Sequence, residues 1–169
     1  MNDHAHLFAF EDDFVASLRC IPMAVRFKLD LAEVKLSLRE WSRFTAEDRQ
    51  LLLLQPCQSA EEISIYRETL VALLAERAHA AARPLPPGSV VDWTEADATP
   101  DGVRDFAHRV GLEPPSDDDW RRLNPLQRFV LLKLSRDNHD NVNFVPALKE
   151  FGLGAKPQAS LAPLAAANA

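Results

Sequence analysis

Residues 22–33 read PMAVRFKLDLAE, and the fold class turns on them. Taken alone, the alternation of Met23, Val25, Phe27, Leu29 and Leu31 with smaller or charged residues is the period-two pattern of a strand. A comparison within the chain points the other way. With Pro22 set against Pro100, Val25 meets Val103, Leu29 meets Ala107 and Val34 meets Leu112, all at an offset of 78 residues. After one insertion the offset is 79: Trp41 meets Trp120, Phe44 meets Leu123, Thr45 meets Asn124, Arg49 meets Arg128, and Leu51, Leu52 and Leu53 meet Val130, Leu131 and Leu132. The chain holds only three tryptophans, so two of them falling into register inside a matched frame carries weight. In the second stretch Val103, Phe106, Ala107 and Val110 have helical spacing, and Gly111 stands where a helix C-cap belongs. By correspondence, residues 22–33 are predicted to be helical.

Start signals recur along the chain. Thr45 with Asp48, Ser59 with Glu62, Ser116 with Asp119, and Asn124 with Pro125 and Gln127 each place a capping oxygen three residues before an acid or amide. The run after Ser59, with Ile63, Tyr66, Leu70, Leu73 and Leu74, predicts an amphipathic helix to about Ala81, stopped by Pro84, Pro86, Pro87 and Gly88. LLLL at 51–54 and FVLL at 129–132 show no polar face over a full turn, which predicts two central, buried helices. The expected fold is all-α: one compact domain over residues 1–154, with two copies of a helix-turn-helix unit around a shared core. The copies span about 22–57 and 100–136. An exposed, proline-rich connection is expected at about 83–99, and residues 155–169, low in complexity, are expected to be a disordered tail.

The bulk numbers fit a single soluble domain: 169 residues, 47% hydrophobic and 26% charged. The first fourteen residues carry acids where a presequence would carry bases, and no apolar run approaches the roughly 18 residues of a membrane span. The expected location is cytoplasmic. A net charge of -6 disfavours nucleic acid and anionic lipid as partners. Charge is uneven, however: residues 121–156 hold seven bases against three acids, a local +4. Cys20 and Cys57 read as buried thiols behaving as small hydrophobes.

The densest polar stretch is SRDNHDNVNF, residues 135–144. A calcium loop starting at Asp137 would place His139 and Val142 where an oxygen ligand and a glycine belong. His139 has no histidine or cysteine nearby to share a zinc ion. Asn141 or Asn143 reads as the N-cap of a helix ending at Phe151, with Gly152 as its C-cap. What capping leaves over is Arg136 and His139, with Lys149 further on, as candidate partner-binding side chains. No glycine-rich phosphate loop and no paired-carboxylate motif is present. The residues therefore give no catalytic, cofactor or metal assignment, and describe a protein-binding module. A small all-α enzyme or ligand-binding protein using the 135–144 loop is the competing class.

DFVASLRCIPMAVRFKLDLAEVKLSLREWSRFTAEDR, then QPC followed by EEI and Tyr66, then LNPLQRFVLLKLSR and NFVPALKEFGL, together resemble the nitrate reductase-associated protein family over about residues 8–153. The resemblance implies a role in maturation or assembly of assimilatory nitrate reductase, as a chaperone-like accessory protein with no catalytic residues. The implied partner is the reductase apoprotein or its molybdenum-cofactor loading machinery. The chain departs from the family pattern at Glu33, where a glycine is expected before Val34, and in the residues after Arg136.

Overall fold

In this computed structural model the described residues are 7–11, 17–89, 91–136, 142–154 and 156–157. They form eight α-helices: α1 Met23–Ala32, α2 Leu38–Trp41, α3 Ala46–Leu54, α4 Ala60–Leu73, α5 Asp101–Arg109, α6 Asp117–Arg122, α7 Pro125–Leu134 and α8 Phe144–Glu150. A two-residue ladder joins β1 Val34–Lys35 to β2 Arg83–Pro84, antiparallel. The protein is thus mostly helical, with one minimal sheet.

The stretch that reads as a strand is α1. Met23, Ala24, Val25, Phe27, Lys28, Leu29, Asp30 and Ala32 are all buried, so the helix shows solvent almost no face, and no polar stripe marks its period. It packs on α4, α7, α3 and β1. Phe27 lies at its centre, 5.1 Å from the Phe129 ring and 5.0 Å from Trp93. Its N-terminus is capped from outside: the Glu11 carboxylate accepts from Met23 N at 2.7 Å, because Pro22 has no side-chain oxygen to offer. Its C-terminus is closed by Glu33 in the left-handed conformation, φ 56°. A glycine would suit that geometry, and Glu33 is the position where this chain departs from the resembled pattern.

Two charges go into the core with α1. Lys28 is fully buried, and its ammonium donates to Leu53 O at 2.6 Å and to Gln55 O at 2.8 Å. Those carbonyls end α3, where a helix leaves acceptors unpaired and its dipole favours a cation. The Tyr66 hydroxyl takes Leu52 O at 3.0 Å, and its ring lies 5.7 Å from the Lys28 nitrogen. Burial lowers the Lys28 pKa to about 8 and raises the neighbouring Cys57 thiol to about 11. Cys57 is buried, as expected; Cys20 is only half-buried.

All four capping boxes read from the sequence form, at Thr45, Ser59, Ser116 and Asn124, and a fifth joins Ser37 to Glu40. The expectation for the two leucine-rich helices holds for one. Phe129, Val130, Leu131 and Leu134 of α7 are fully buried, whereas on α3 Leu51 is 48% and Leu54 51% exposed. The central pair is α1 and α7, since α1 occupies the place that the apolar run suggested for α3. Helix α4 also ends early, widening into a π-turn at Leu74–Ala78 that His79 stops with φ 52°.

Matched positions in the two halves make matched bonds. Arg26 Nε donates to Ile21 O and Arg104 Nε to Thr99 O, at 3.1 and 2.8 Å. Trp41 Nε1 donates to Leu18 O and Trp120 Nε1 to Glu95 O, at 2.8 and 2.9 Å. Arg49 and Arg128 each reach a preceding loop carbonyl with Nη1 at 3.1 and 3.2 Å, to Leu18 O and Trp93 O. The connection at 83–99 is less exposed than expected: Val91 and Thr99 are buried and Trp93 packs on the core. Of the expected tail, Lys156 and Pro157 pair with the 112–113 segment, through Glu113 N to Lys156 O at 3.0 Å and a bridge from Leu112 to Pro157. Ala155 and residues 158–169 lie outside the described residues.

Candidate partner-binding surface

Of the three candidate partner-binding side chains, His139 lies outside the described residues, together with Asp137, Asn138, Asp140 and Asn141. Arg136 follows the end of α7. Asn124 caps that helix and Pro125 begins it; its last turn presents Lys133, and Ser135 closes it. Arg136 Nη1 donates to Ser89 O at 2.9 Å, and Lys133 Nζ donates to the same carbonyl at 3.0 Å. Two cations at the C-terminal end of α7 thus hold the end of the proline-rich connection.

Lys133 is also 3.2 Å from Asp30 Oδ2 of α1, both side chains being largely buried. That oxygen receives no well-aligned hydrogen bond, so the contact is ionic attraction. Burial raises the Asp30 carboxyl above its usual value, while the Lys133 and Arg136 charges pull it down. Burial also lowers the Lys133 ammonium; Asp30 opposes this, and the cations Arg136 and Arg26 add to it. Two bases, Lys133 and Arg136, therefore sit within electrostatic reach of one buried carboxylate at this end of α7. At helical spacing the sequence offers Arg136 one acid, Asp140. Asp30, more than a hundred residues earlier, is the acid that the fold supplies.

Lys149 is in a different setting. It is exposed in the last turn of α8, and its ammonium makes no contact among the described residues. The next residue, Glu150, accepts from Ala9 N at 2.9 Å and Phe10 N at 3.1 Å, fastening the N-terminal segment across α8, where Phe8, Phe10 and Phe151 pack as a ring cluster. No contact joins Lys149 to Arg136 among the described residues. Asn143 is the N-cap of α8 by position, but its side chain makes no capping bond; Gly152 follows the helix with φ 71°, as the C-cap pattern requires.

Lys28, Asp30 and Lys133 were not singled out by sequence. Lys28 had one signal, its position at helical spacing from Val25 and Ala32 on an apolar face. Asp30 and Lys133 had none, because each is explained only by the other. Among the described residues no group of three or more His, Cys, Asp or Glu side chains is placed to hold a metal ion, and no helix is long and apolar enough to cross a membrane.

Residues 7–151 match the family model described as conserved nitrate reductase-associated protein. No curated protein and no solved structure matches the chain.

Proposed function

The chain belongs to the conserved nitrate reductase-associated protein family, and from that membership we propose that it is a non-catalytic accessory protein of assimilatory nitrate reductase. In this reading it acts in the cytoplasm and assists maturation or assembly by binding the apoprotein or the machinery that loads molybdenum cofactor. The observation that carries the proposal is the extent of the family match, from the N-terminal segment through the end of α8, which takes in every helix described.

Arg136, His139 and Lys149 are the proposed contact residues. The local excess of bases in this part of an otherwise acidic chain supports them, because an acidic partner surface would gain in encounter rate and specificity from such a patch. We also propose that the fold is two copies of one helix-turn-helix unit; the matched bonds of Arg26 with Arg104 and of Trp41 with Trp120 support it.

The test is capture of apo nitrate reductase by the purified protein, with recovery of reductase activity as the second readout, for the natural chain and for Arg136→Ala with His139→Ala. Ser89 O retains its Lys133 bond when Arg136 is cut back, so melting of the double variant should change little, by less than about 1 kcal/mol. Capture and recovery should fall. A natural chain that captures no reductase refutes the accessory role. A double variant that captures normally refutes the assignment of these residues.

A further inference from the structure

A groove of about 480 Å³ opens between the end of α1, the outer face of α4 and the proline-rich connection, on residues the proposed contact does not use. Its apolar lining includes Val34, Val71, Pro84 and Leu85. Val71 is the notable one: in the last turn of α4, it is 44% exposed, an apolar side chain held toward solvent beside an apolar floor.

Two guanidinium groups border this floor, and both are fixed in place. Arg67 donates from Nε to Ala32 O at 2.8 Å, using a carbonyl left over at the end of α1, and from Nη2 to Glu33 at 3.2 Å. Arg83 donates from Nη2 to Glu40 at 2.7 Å. Glu40 is itself held, since its other carboxylate oxygen closes the capping box of α2 through Ser37 N and Oγ, both at 2.7 Å. These bonds use only part of what each guanidinium can give. The Nη1 groups of Arg67 and Arg83 have no partner among the described residues. A fixed guanidinium with spare donors recognises carboxylate well, because little side-chain freedom is lost on binding. The strained left-handed backbone of Glu33 lies on the same rim, as strained residues often do at binding sites.

We propose that this groove is a second docking site for the reductase, and that it takes an extended segment in which an apolar side chain is flanked by Asp or Glu. The inference rests on the accessory role proposed above. The apolar residue covers Val71 and the floor, and the carboxylate completes Arg67 or Arg83. The open form of the groove favours a polypeptide over a small metabolite, whose pocket would normally enclose most of its surface.

The experiment measures binding of the full chain to apo reductase, and to a fluorescent set of overlapping peptides tiled along the reductase sequence, for the natural chain, Val71→Asp, Val71→Lys and Arg83→Gln. Val71 is exposed, so its two variants should melt as the natural chain does; Arg83→Gln removes the ion-pair partner of Glu40, whose side chain is 12% exposed, and its binding is measured below its own melting temperature. Val71→Asp should weaken binding at least tenfold by placing like charge against the acidic segment. Val71→Lys should lose less, and Arg83→Gln should lose three- to tenfold with a shallower salt dependence. Normal capture by Val71→Asp and Arg83→Gln overturns the groove while leaving the accessory role standing. No capture by the natural chain overturns both. If no peptide binds but citrate, used as a probe, raises the melting temperature in an Arg83-dependent way, the groove is a small-anion site and the docking proposal is wrong.

Discussion

Replacing Lys28 by Met tests whether a charged amine is stored in this core. The natural chain buries the Lys28 nitrogen with two carbonyl partners, and burial brings its pKa from 10.5 to about 8. A shift of that size means that the folded state disfavours the charged form by about 3 kcal/mol at pH values below 8. Between about pH 8 and 10.5 the unfolded chain binds more protons than the folded chain does. Stability from this group therefore rises with pH across that window, with roughly 2–3 kcal/mol recovered by pH 10. The neutral amine still has two N–H groups, enough for Leu53 O and Gln55 O, so deprotonation sacrifices neither bond.

Met at this position removes the charge and both donors. The two orphaned carbonyls cost about 1–3 kcal/mol each, offset at pH 7 by the roughly 3 kcal/mol of charge burial that is no longer incurred. The variant should therefore lie between about 1 kcal/mol more stable and about 3 kcal/mol less stable at pH 7, and roughly 2–3 kcal/mol further behind at pH 10. Urea unfolding of both proteins at the two pH values measures the gap; groups titrating in both cancel, and the Cys57 thiol, at about 11, remains mostly protonated. A gap that does not widen between pH 7 and pH 10 would show the ammonium to be hydrated or otherwise compensated, and the buried-charge reasoning would fail.

Asn124→Ala should cost about 1 kcal/mol in chemical unfolding, since its side chain caps α7, whereas Asn143→Ala, whose side chain makes no capping bond, should stay within about 0.5 kcal/mol. Glu33→Val should lose about 1–2 kcal/mol because a β-branched residue fits the left-handed backbone poorly, while Glu33→Gly should come close to the natural chain in the same assay, relieving strain at the expense of an exposed ion pair. Residues 1–85 and 86–169 expressed separately should show no cooperative melt, because Phe27 packs on both Phe129 and Trp93; a monomeric half with a sharp transition would contradict this.

Local chemistry was legible where both partners of an interaction lie within one turn. Each capping box could be read off because the acceptor and the returning acid or amide are three residues apart, and the Ser37–Glu40 box, missed only because its helix is four residues long, obeys the same rule. The leucine runs misled for a physical reason. A stretch with no polar residue gives no phase, so LLLL at 51–54 could not say that Leu52 and Leu53 point inward and Leu51 and Leu54 outward. The α1 stretch had the opposite difficulty: its polar residues exist, but they are buried, and the alternation they create imitates a strand. Only comparison with residues 100–110, whose outer face is polar, restored the helical reading.

The candidate surface was less legible because the polar groups that build it act as tethers between distant segments. Lys133 and Arg136 reach the connection at Ser89, Lys133 reaches α1 at Asp30, Glu150 reaches back to residues 9 and 10, and Arg83 crosses to Glu40. Charge counting treats each as a surface ion free to meet a partner. In the fold, the donors such tethers leave over decide what a partner can meet. For Arg67 and Arg83 the remaining Nη1 groups lie beside an apolar floor, and for Lys149 the whole ammonium remains. A partner that engages these groups gains contacts without breaking any bond that holds the helices together, whereas one that required Lys133 would have to expose the Asp30 carboxylate. Binding is therefore expected to leave the α1–α7 core intact, with its recognition carried by the rims of the molecule.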